Sequence, residues 1–311
     1  MITGIPNRKD FEEQGLTLLN LAWDTVADLF LLFADAENEC GELTEAEKNG
    51  HLIASHRPLA IATALLQQGA EFMVKAAIAD YSPFLLISAP PSNWPRRSDK
   101  ENVEFSAFKT VDASDLIKIH DTVAANRFSP EFTQLFGELR RVRNSVFHTV
   151  DKNLSFSHKH VIDSILRISS EIMGKRRWTE LRLGYLQSIP SIPIVSGDPL
   201  GRLSREFVEI MPILNMGDLK EHFGFNRKQR QYICPRCTAA TEVRHVWTAQ
   251  LEPNTPTSTS TYCPVCRSHH SVIRETCKST GCRGNVLDAD QWSGFYRMCL
   301  TCSELGLNEV D

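Results

Sequence analysis

Apolar residues recur at helical spacing between Leu16 and Phe33, as in Leu18, Leu21, Ala22, Val26 and Leu29, and predict a long amphipathic helix. A second stretch, His56 to Tyr81, is hydrophobic almost all round and has Pro58 near its start, where a missing N–H costs little. It predicts the most buried helix of the chain. Residues 82 to 106 place Pro83, Pro90, Pro91 and Pro95 among serines and charges, so they read as a long loop. A third helix follows over 111 to 126, capped by Asp112 or Ser114. The next stretch, Ser129 to Val150, offers three agreeing start signals: Ser129 as N-cap, Pro130 at the first helical position and Glu131 in the first turn. A fifth helix, roughly His158 to Met173, closes an antiparallel helical bundle. Between Leu186 and Asn226 the texture changes, with Pro190, Pro193, Pro199, Pro212 and several glycines, and predicts a connector of short pieces.

Composition places this pattern in a folded protein. With 311 residues, 42 % apolar and 23 % charged, the chain is ordinary globular material and long enough for two or three units. The first residues are polar, and the apolar run after them is broken by Asn20, Asp24 and Asp28, so neither a signal peptide nor a membrane span is predicted and a cytoplasmic location is expected. The net charge of -4 hides an asymmetry: residues 1 to 224 carry 24 basic and 30 acidic groups, residues 225 to 311 carry 10 and 8. No bulk positive field announces a nucleic acid, so any such binding must come from local patches.

The cysteines change the picture of the C-terminal third. Eight of the nine fall in four close pairs, Cys234/Cys237, Cys263/Cys266, Cys277/Cys282 and Cys299/Cys302, leaving Cys40 outside. A Cys-x-x-Cys turn sets two thiolates on one side of a tight knuckle, and two knuckles complete a tetrahedral shell. The pattern therefore predicts two structural Zn2+ ions in a double zinc ribbon, with sequential pairing the simplest arrangement and interleaving an alternative. His245, His269 and His270 are candidate substitute ligands, although eight thiols already suffice for two ions. Disulfides are disfavoured in a cytosolic chain, and iron–sulfur clusters favour more crowded spacing. The Ser/Thr/Pro-rich stretch 252 to 262 reads as a mobile loop between knuckles. Arg227, Lys228, Arg230, Arg236 and Arg244, with Tyr232 and Trp247 among them, form a basic and aromatic stretch that suits phosphate contact and base stacking, or else a solvated basic face. The fold class is thus mainly α: a helical bundle over 1–180, a Pro-rich connector over 181–230 and a small β-rich double zinc-ribbon domain over 231–311.

Candidate chemistry lies on the fourth helix. Leu135, Leu139, Val142 and Val146 share one stripe that should face the core, whereas Asn144 and His148, four apart, lie together on another face with Arg143 on the flank. Arg140 and Arg141 add positive charge nearby. The run Arg143-Asn144-Ser145-Val146-Phe147-His148 resembles the Arg-polar-x-x-x-His signature of the HEPN superfamily of helical-bundle ribonucleases. The second helix, with Gly69-Ala70-Glu71 and Lys75, is similar to that family's buried helix bearing Glu and Lys. The resemblance covers about residues 10 to 175.

The resemblance implies a homodimer whose motif helices face each other and form one metal-independent endoribonuclease site, leaving 2′,3′-cyclic phosphate and 5′-hydroxyl ends. It also implies catalytic roles for Arg143, Asn144 and His148, a toxin or antiviral defence setting, and a regulatory partner or antitoxin. RNA is then the substrate, with the ribbons recruiting RNA or a protein. A non-catalytic nucleic-acid-binding or partner-binding module is the alternative. No membrane partner is expected, and no phosphate-cradling glycine loop supports NTP hydrolysis.

Overall fold

The computed structural model describes residues 1–148, 157–190, 197–241, 245–290 and 297–306. These form two compact units, Met1–Gly174 and Lys175–Asp311. The architecture is mainly helical, with the small strands concentrated toward the C-terminus.

The first unit is built on a helical hairpin. Helix α1 (Arg8–Cys40) begins with a capping box in which Asn7 accepts from the backbone of Lys9 and Asp10 while Asp10 accepts from the Asn7 N–H. It runs well past the expected Phe33 and stops at Gly41, whose φ of 84° suits glycine. Helix α2 (Glu45–Ala79) starts eleven residues before the expected His56, because Thr44 and Glu47 form a second capping box. Pro58 consequently sits inside the helix rather than near its start. The half before Pro58 is largely exposed, with Leu52 at 51 % and Ile53 at 74 %, and deep burial begins at Leu59.

The two helices run antiparallel: Phe11 meets Phe72 at one end (ring centroids 6.4 Å apart) and Phe33 meets His51 at the other (5.2 Å). They approach closely at Gly15 and Gly69, where a Cβ on either residue would lie 3.2 Å from the other's carbonyl oxygen. By length and hydropathy α1 could cross a membrane, but its apolar residues Leu19, Ala22, Trp23 and Val26 are buried inside this unit.

Helices α3 (Ala113–Val123), α4 (Pro130–His148) and α5 (His158–Met173) all pack on α2, making it the central helix. At the head of α4, the Ser129 hydroxyl accepts from the Phe132 N–H (3.2 Å), and its own N–H and hydroxyl donate to Glu171 of α5 (2.7 and 3.0 Å). The loop expected over 82–106 holds short 3-10 turns and a strand, β2 (Val103–Glu104), that pairs parallel with β1 (Ile2–Thr3).

The second unit opens with helices where a connector was expected. Helices α6 (Trp178–Ser188), α7 (Pro199–Ile210) and α8 (Met216–Phe223) occupy most of that region. Pro199 fits because it takes the first position of α7, where no N–H is needed. Arg182 of α6 and Glu206 of α7 are both fully buried and pair through two contacts of 2.7 and 3.0 Å, while Arg202 adds a third at 2.8 Å. Phe207 packs edge-on against Phe223 at 5.0 Å. Helix α7 also meets α9 (Pro235–Thr241): a Cβ at Gly201 would stand 2.2 Å from the Ala240 carbonyl oxygen, so only glycine permits that approach.

An antiparallel sheet follows, ordered β3 (Gln250–Leu251), β4 (Ser260–Cys263), β5 (Ser268–Ile273) and β6 (Leu287–Asp288). The end of the Ser/Thr-rich insertion, Ser260 to Tyr262, belongs to β4, so that segment is the connection of a hairpin. A small pair, β7 (Arg297–Met298) and β8 (Leu305–Gly306), completes the unit.

Candidate functional site

The eight paired cysteines form two separate quartets, Cys234/Cys237/Cys263/Cys266 and Cys277/Cys282/Cys299/Cys302, each with all four sulfurs within 4.8 Å of one another. The sequential pairing therefore holds. None of these residues is in a disulfide. In the first quartet, Cys234 and Cys237 flank the start of α9, while Cys263 closes β4 and Cys266 lies in the turn before β5. That turn is anchored within the unit, since the buried Thr179 hydroxyl of α6 donates to the Pro264 carbonyl at 2.9 Å. In the second quartet, Cys277 and Cys282 lie in one loop, and Cys299 follows β7.

The spacing fits a tetrahedral ion. Sulfur–sulfur contacts are 3.6 and 3.7 Å in the first quartet and 3.8 and 3.9 Å in the second. Four ligands at about 2.3 Å from a zinc ion would stand about 3.8 Å apart. The electrostatics agree. Thiols this close cannot all ionise without a cation, so their acidities split. Cys234 is pushed up by its hydrogen bond with Cys237, and Cys266 is lowered, first by its hydrogen bond with Cys234. Burial pushes Cys302 up to about 12; burial also opposes ionisation of Cys277, but hydrogen bonds from Ser279 and then its thiol neighbours bring it to about 7. Two four-cysteine clusters able to hold two divalent ions, and compatible with zinc, are thus a property of the second unit.

The quartets differ in their surroundings. All four residues of the first are buried, whereas Cys282 and Cys302 of the second are half-buried. Side chains also reach the first: Thr248 Oγ1 lies 3.1 Å from Cys263 Sγ, and His270 Nε2 lies 3.4 Å from Cys234 Sγ and 3.7 Å from Cys266 Sγ. The second receives backbone N–H groups, from Ser279 to Cys277 (3.4 Å) and from Gly284 to Cys282 (3.3 Å), and the Ser279 side chain also bonds Cys277. Of the three histidines considered as ligands, His245 stacks edge-on with Trp247 at 5.8 Å and His269 faces Tyr262 at 5.0 Å. The cysteine pattern is visible in sequence, and His270 only as one histidine of three; the fold around β4 and β5 is what brings His270 and Thr248 to the quartet.

Among the described residues of the basic and aromatic stretch, Lys228, Arg230 and Arg236 are exposed and Arg227 is half-buried. Tyr232 is 4 % exposed and so offers no stacking face, Arg227 donates to the Met211 carbonyl, and Arg236 donates to Ser268 at 2.9 Å. Arg230 lies 5.5 Å from the Tyr232 ring centroid and donates to Thr301. Trp247 is 44 % exposed and remains available, and Arg244 lies outside the described residues.

On α4 the core stripe weakens along the helix: Leu135 and Leu139 are buried at 7 % and 0 %, while Val142 and Val146 are half-buried. Arg143 is half-buried and donates from Nη1 to Asn144 Oδ1 at 3.0 Å. His148 is the last residue of α4, and its side chain lies outside the described residues. At helical spacing, Arg141, Asn144 and His148 fall at i, i+3 and i+7 and share one stripe, and Arg141 and Asn144 are exposed. That alignment makes Arg141 as well placed along the helix as Arg143, a point that counting residues inside a motif does not raise.

A cleft of about 220 Å³ between α4 and α5 is lined by Glu131, Glu138, Asp163, His160 and Arg167 among others. Its carboxylates outnumber its cations, which disfavours a phosphate there, while the arginines lie further along α4. In α2, Lys75 (9 % exposed) pairs with Glu71 at 2.7 Å, and Gln67 donates to the same carboxylate at 3.3 Å.

No family model, no curated protein and no solved structure matches this chain.

Proposed function

We propose that the first unit is a metal-independent endoribonuclease of HEPN type and that the second is a double zinc ribbon that recruits RNA or a partner protein to it. The observation that carries the reading is the grouping of Arg143 and Asn144, hydrogen-bonded to each other near the C-terminal end of α4, one turn before His148. An imidazole with an ordinary pKa near 6.5 moves protons at neutral pH, so His148 would take the proton from the 2′-hydroxyl or return one to the departing 5′-oxygen. Arg143 would stabilise the pentacovalent phosphorane by charge and paired hydrogen bonds, with Arg141 supplying a second cation on the His148 stripe. Asn144 would orient the imidazole or the phosphate. Products would be a 2′,3′-cyclic phosphate and a 5′-hydroxyl. Pairing of two motif helices in a homodimer would bring two sets of these groups to one phosphate, and a toxin or defence role in the cytoplasm, restrained by a regulatory protein, would follow from such an activity.

The eight cysteines would hold two zinc ions in closed all-thiolate shells, which leave no open coordination position and assign the metals a structural role.

The test is to incubate the purified chain with total RNA in EDTA and map product ends. Cleavage with cyclic phosphate ends is expected, falling about 10²- to 10⁴-fold in His148→Ala, the scale of one general acid–base group. Arg143→Ala and Arg141→Ala should each cut the rate without altering the helical content. Intact RNA with both wild type and His148→Ala, together with RNA affinity that changes in Arg143→Ala, would replace the nuclease with a binding module.

A further inference from the structure

We propose that His270 is an outer donor to the first metal centre, its Nε2–H shared between the sulfurs of Cys234 and Cys266, and that it makes this centre the slower of the two to release metal. The proposal rests on the reading of both quartets as metal centres.

The geometry separates this role from ligation. His270 lies in β5, where Thr261 of β4 is its partner, two residues from Cys263. That register carries the imidazole to the Cys234–Cys266 edge of the quartet, with contacts of 3.4 and 3.7 Å. The four sulfurs lie within 4.8 Å of one another and already supply the four ligands that a tetrahedral ion takes. A metal-bound thiolate only accepts, so a ring nitrogen between two of them must be the donor. Thr248 adds a hydroxyl at 3.1 Å from Cys263, a sulfur that His270 is not seen to contact. Together these spread the excess negative charge that four thiolates leave on a divalent ion.

The second quartet has a different shell. Its donors are mainly backbone N–H groups, those of Ser279, Gly284, Thr301, Cys302 and Glu304, with the Ser279 side chain added at Cys277, and two of its cysteines, Cys282 and Cys302, are half-buried. A chelator can approach that centre from solvent, whereas in the first quartet Cys234, Cys237 and Cys263 are 0 % exposed and Cys266 is 8 % exposed. Burial, together with one imidazole reaching two sulfurs, therefore favours retention at the first centre.

Zinc release from the full chain into an excess of the chromophoric chelator 4-(2-pyridylazo)resorcinol tests this. Two phases of equal amplitude are expected, with the fast one missing in Cys302→Ser. His270→Ala should speed the slow phase by about 10- to 100-fold, the usual cost of losing an outer-shell partner, and leave the fast phase unchanged. His270→Gln, which keeps an N–H donor at similar reach, should restore most of the slow release. An unchanged slow phase in His270→Ala would overturn the proposal, as would His270→Gln behaving like His270→Ala. Cobalt-loaded protein supplies the second readout: the d–d bands should be those of thiolate-only sites and insensitive to His270→Ala, whereas a shift toward nitrogen ligation in wild type would make His270 a ligand and end the outer-donor role. Elemental analysis of wild type stands apart from these arms, because fewer than two metals per chain would defeat the metal-centre reading itself.

Discussion

The two units solve the same problem, how to fix a chain in one conformation, by different physics. The first unit buries long helices against one another: α2 sits among α1, α3, α4 and α5, and its Leu59, Leu66, Met73 and Val74 are sealed from water. The second has short helices, strands of two to six residues, a fully buried arginine–glutamate pair and two sulfur quartets. The second unit gathers an apolar core of its own around Trp178, Leu203, Phe207 and Phe225, and its satisfied ion pair and sulfur quartets, which with metal bound would add metal–ligand bonds, supplement that core. Loss of the sulfur quartets should therefore weaken the second unit and leave the bundle intact.

Metal removal should produce the largest effect and the sharpest division. Structural zinc contributes an apparent ~10–16 kcal/mol in small zinc modules at neutral pH, so acid or strong chelation should unfold the second unit while the first retains its helices. Limited proteolysis after chelation reads this directly: cleavage beyond Lys175 with a protected fragment ending near Gly174 is expected. A second unit that stays protease-resistant without metal would erase the contrast between the units.

Next in size is the buried ion pair. Replacing Arg182 by Leu leaves Glu206 at 0 % exposure with Arg202 still in contact, and stripping one member of such a pair costs roughly 3–5 kcal/mol. Denaturant unfolding should show the loss in the second unit's transition. The double substitution Arg182→Leu/Glu206→Leu should recover part of it, because neither member of the pair is then left as a buried charge without the other. A double variant as unstable as Arg182→Leu would mean that helix packing, not charge compensation, dominates.

How much of this was legible in sequence follows the same division. Helix existence in the bundle was readable from period and caps: Ser129-Pro130-Glu131 opens α4 where its residues say it should. The starts of α1 and α2 were missed, because capping boxes at Asn7 and Thr44 lie in polar stretches that carry no apolar period. The four cysteine pairs were plain from spacing alone, since thiol pairs so close in sequence have few other uses. The helical layer α6–α8 was hidden by its prolines, which mark helix starts as readily as loops. Arg182 and Glu206 sit far apart in sequence, and nothing local announces that each is the other's counter-ion. His270 was visible only as one of three histidines; its place depends on a strand register that no short motif encodes.

A smaller test returns to the bundle. The Ser129 hydroxyl caps α4 and is itself held by Glu171. Ser129→Ala should cost about 1 kcal/mol, as N-cap losses typically do, and should lower the first unit's thermal transition without touching metal content. An equal drop in metal retention would mean that the two units are energetically coupled, which would blunt the contrast drawn above.

The smallest expected effect is on acid stability of the bundle. His158, at the first position of α5, has its pKa lowered from the ordinary histidine value, first by burial and then by the positive charge of His51 and His56. A base whose folded pKa lies below its unfolded pKa binds fewer protons in the folded state, so stability is fully present above the unfolded value near 6.5 and drains away as pH falls toward the folded one. The ring is only about half-buried, packed 5.1 Å from Phe30, so solvent screens the effect and the loss should be modest. Denaturant midpoints of the first unit between pH 7 and 5 should decline in wild type and decline less in His158→Gln, which keeps a polar side chain without the titration. Parallel declines in the two proteins would assign the acid sensitivity to groups other than His158.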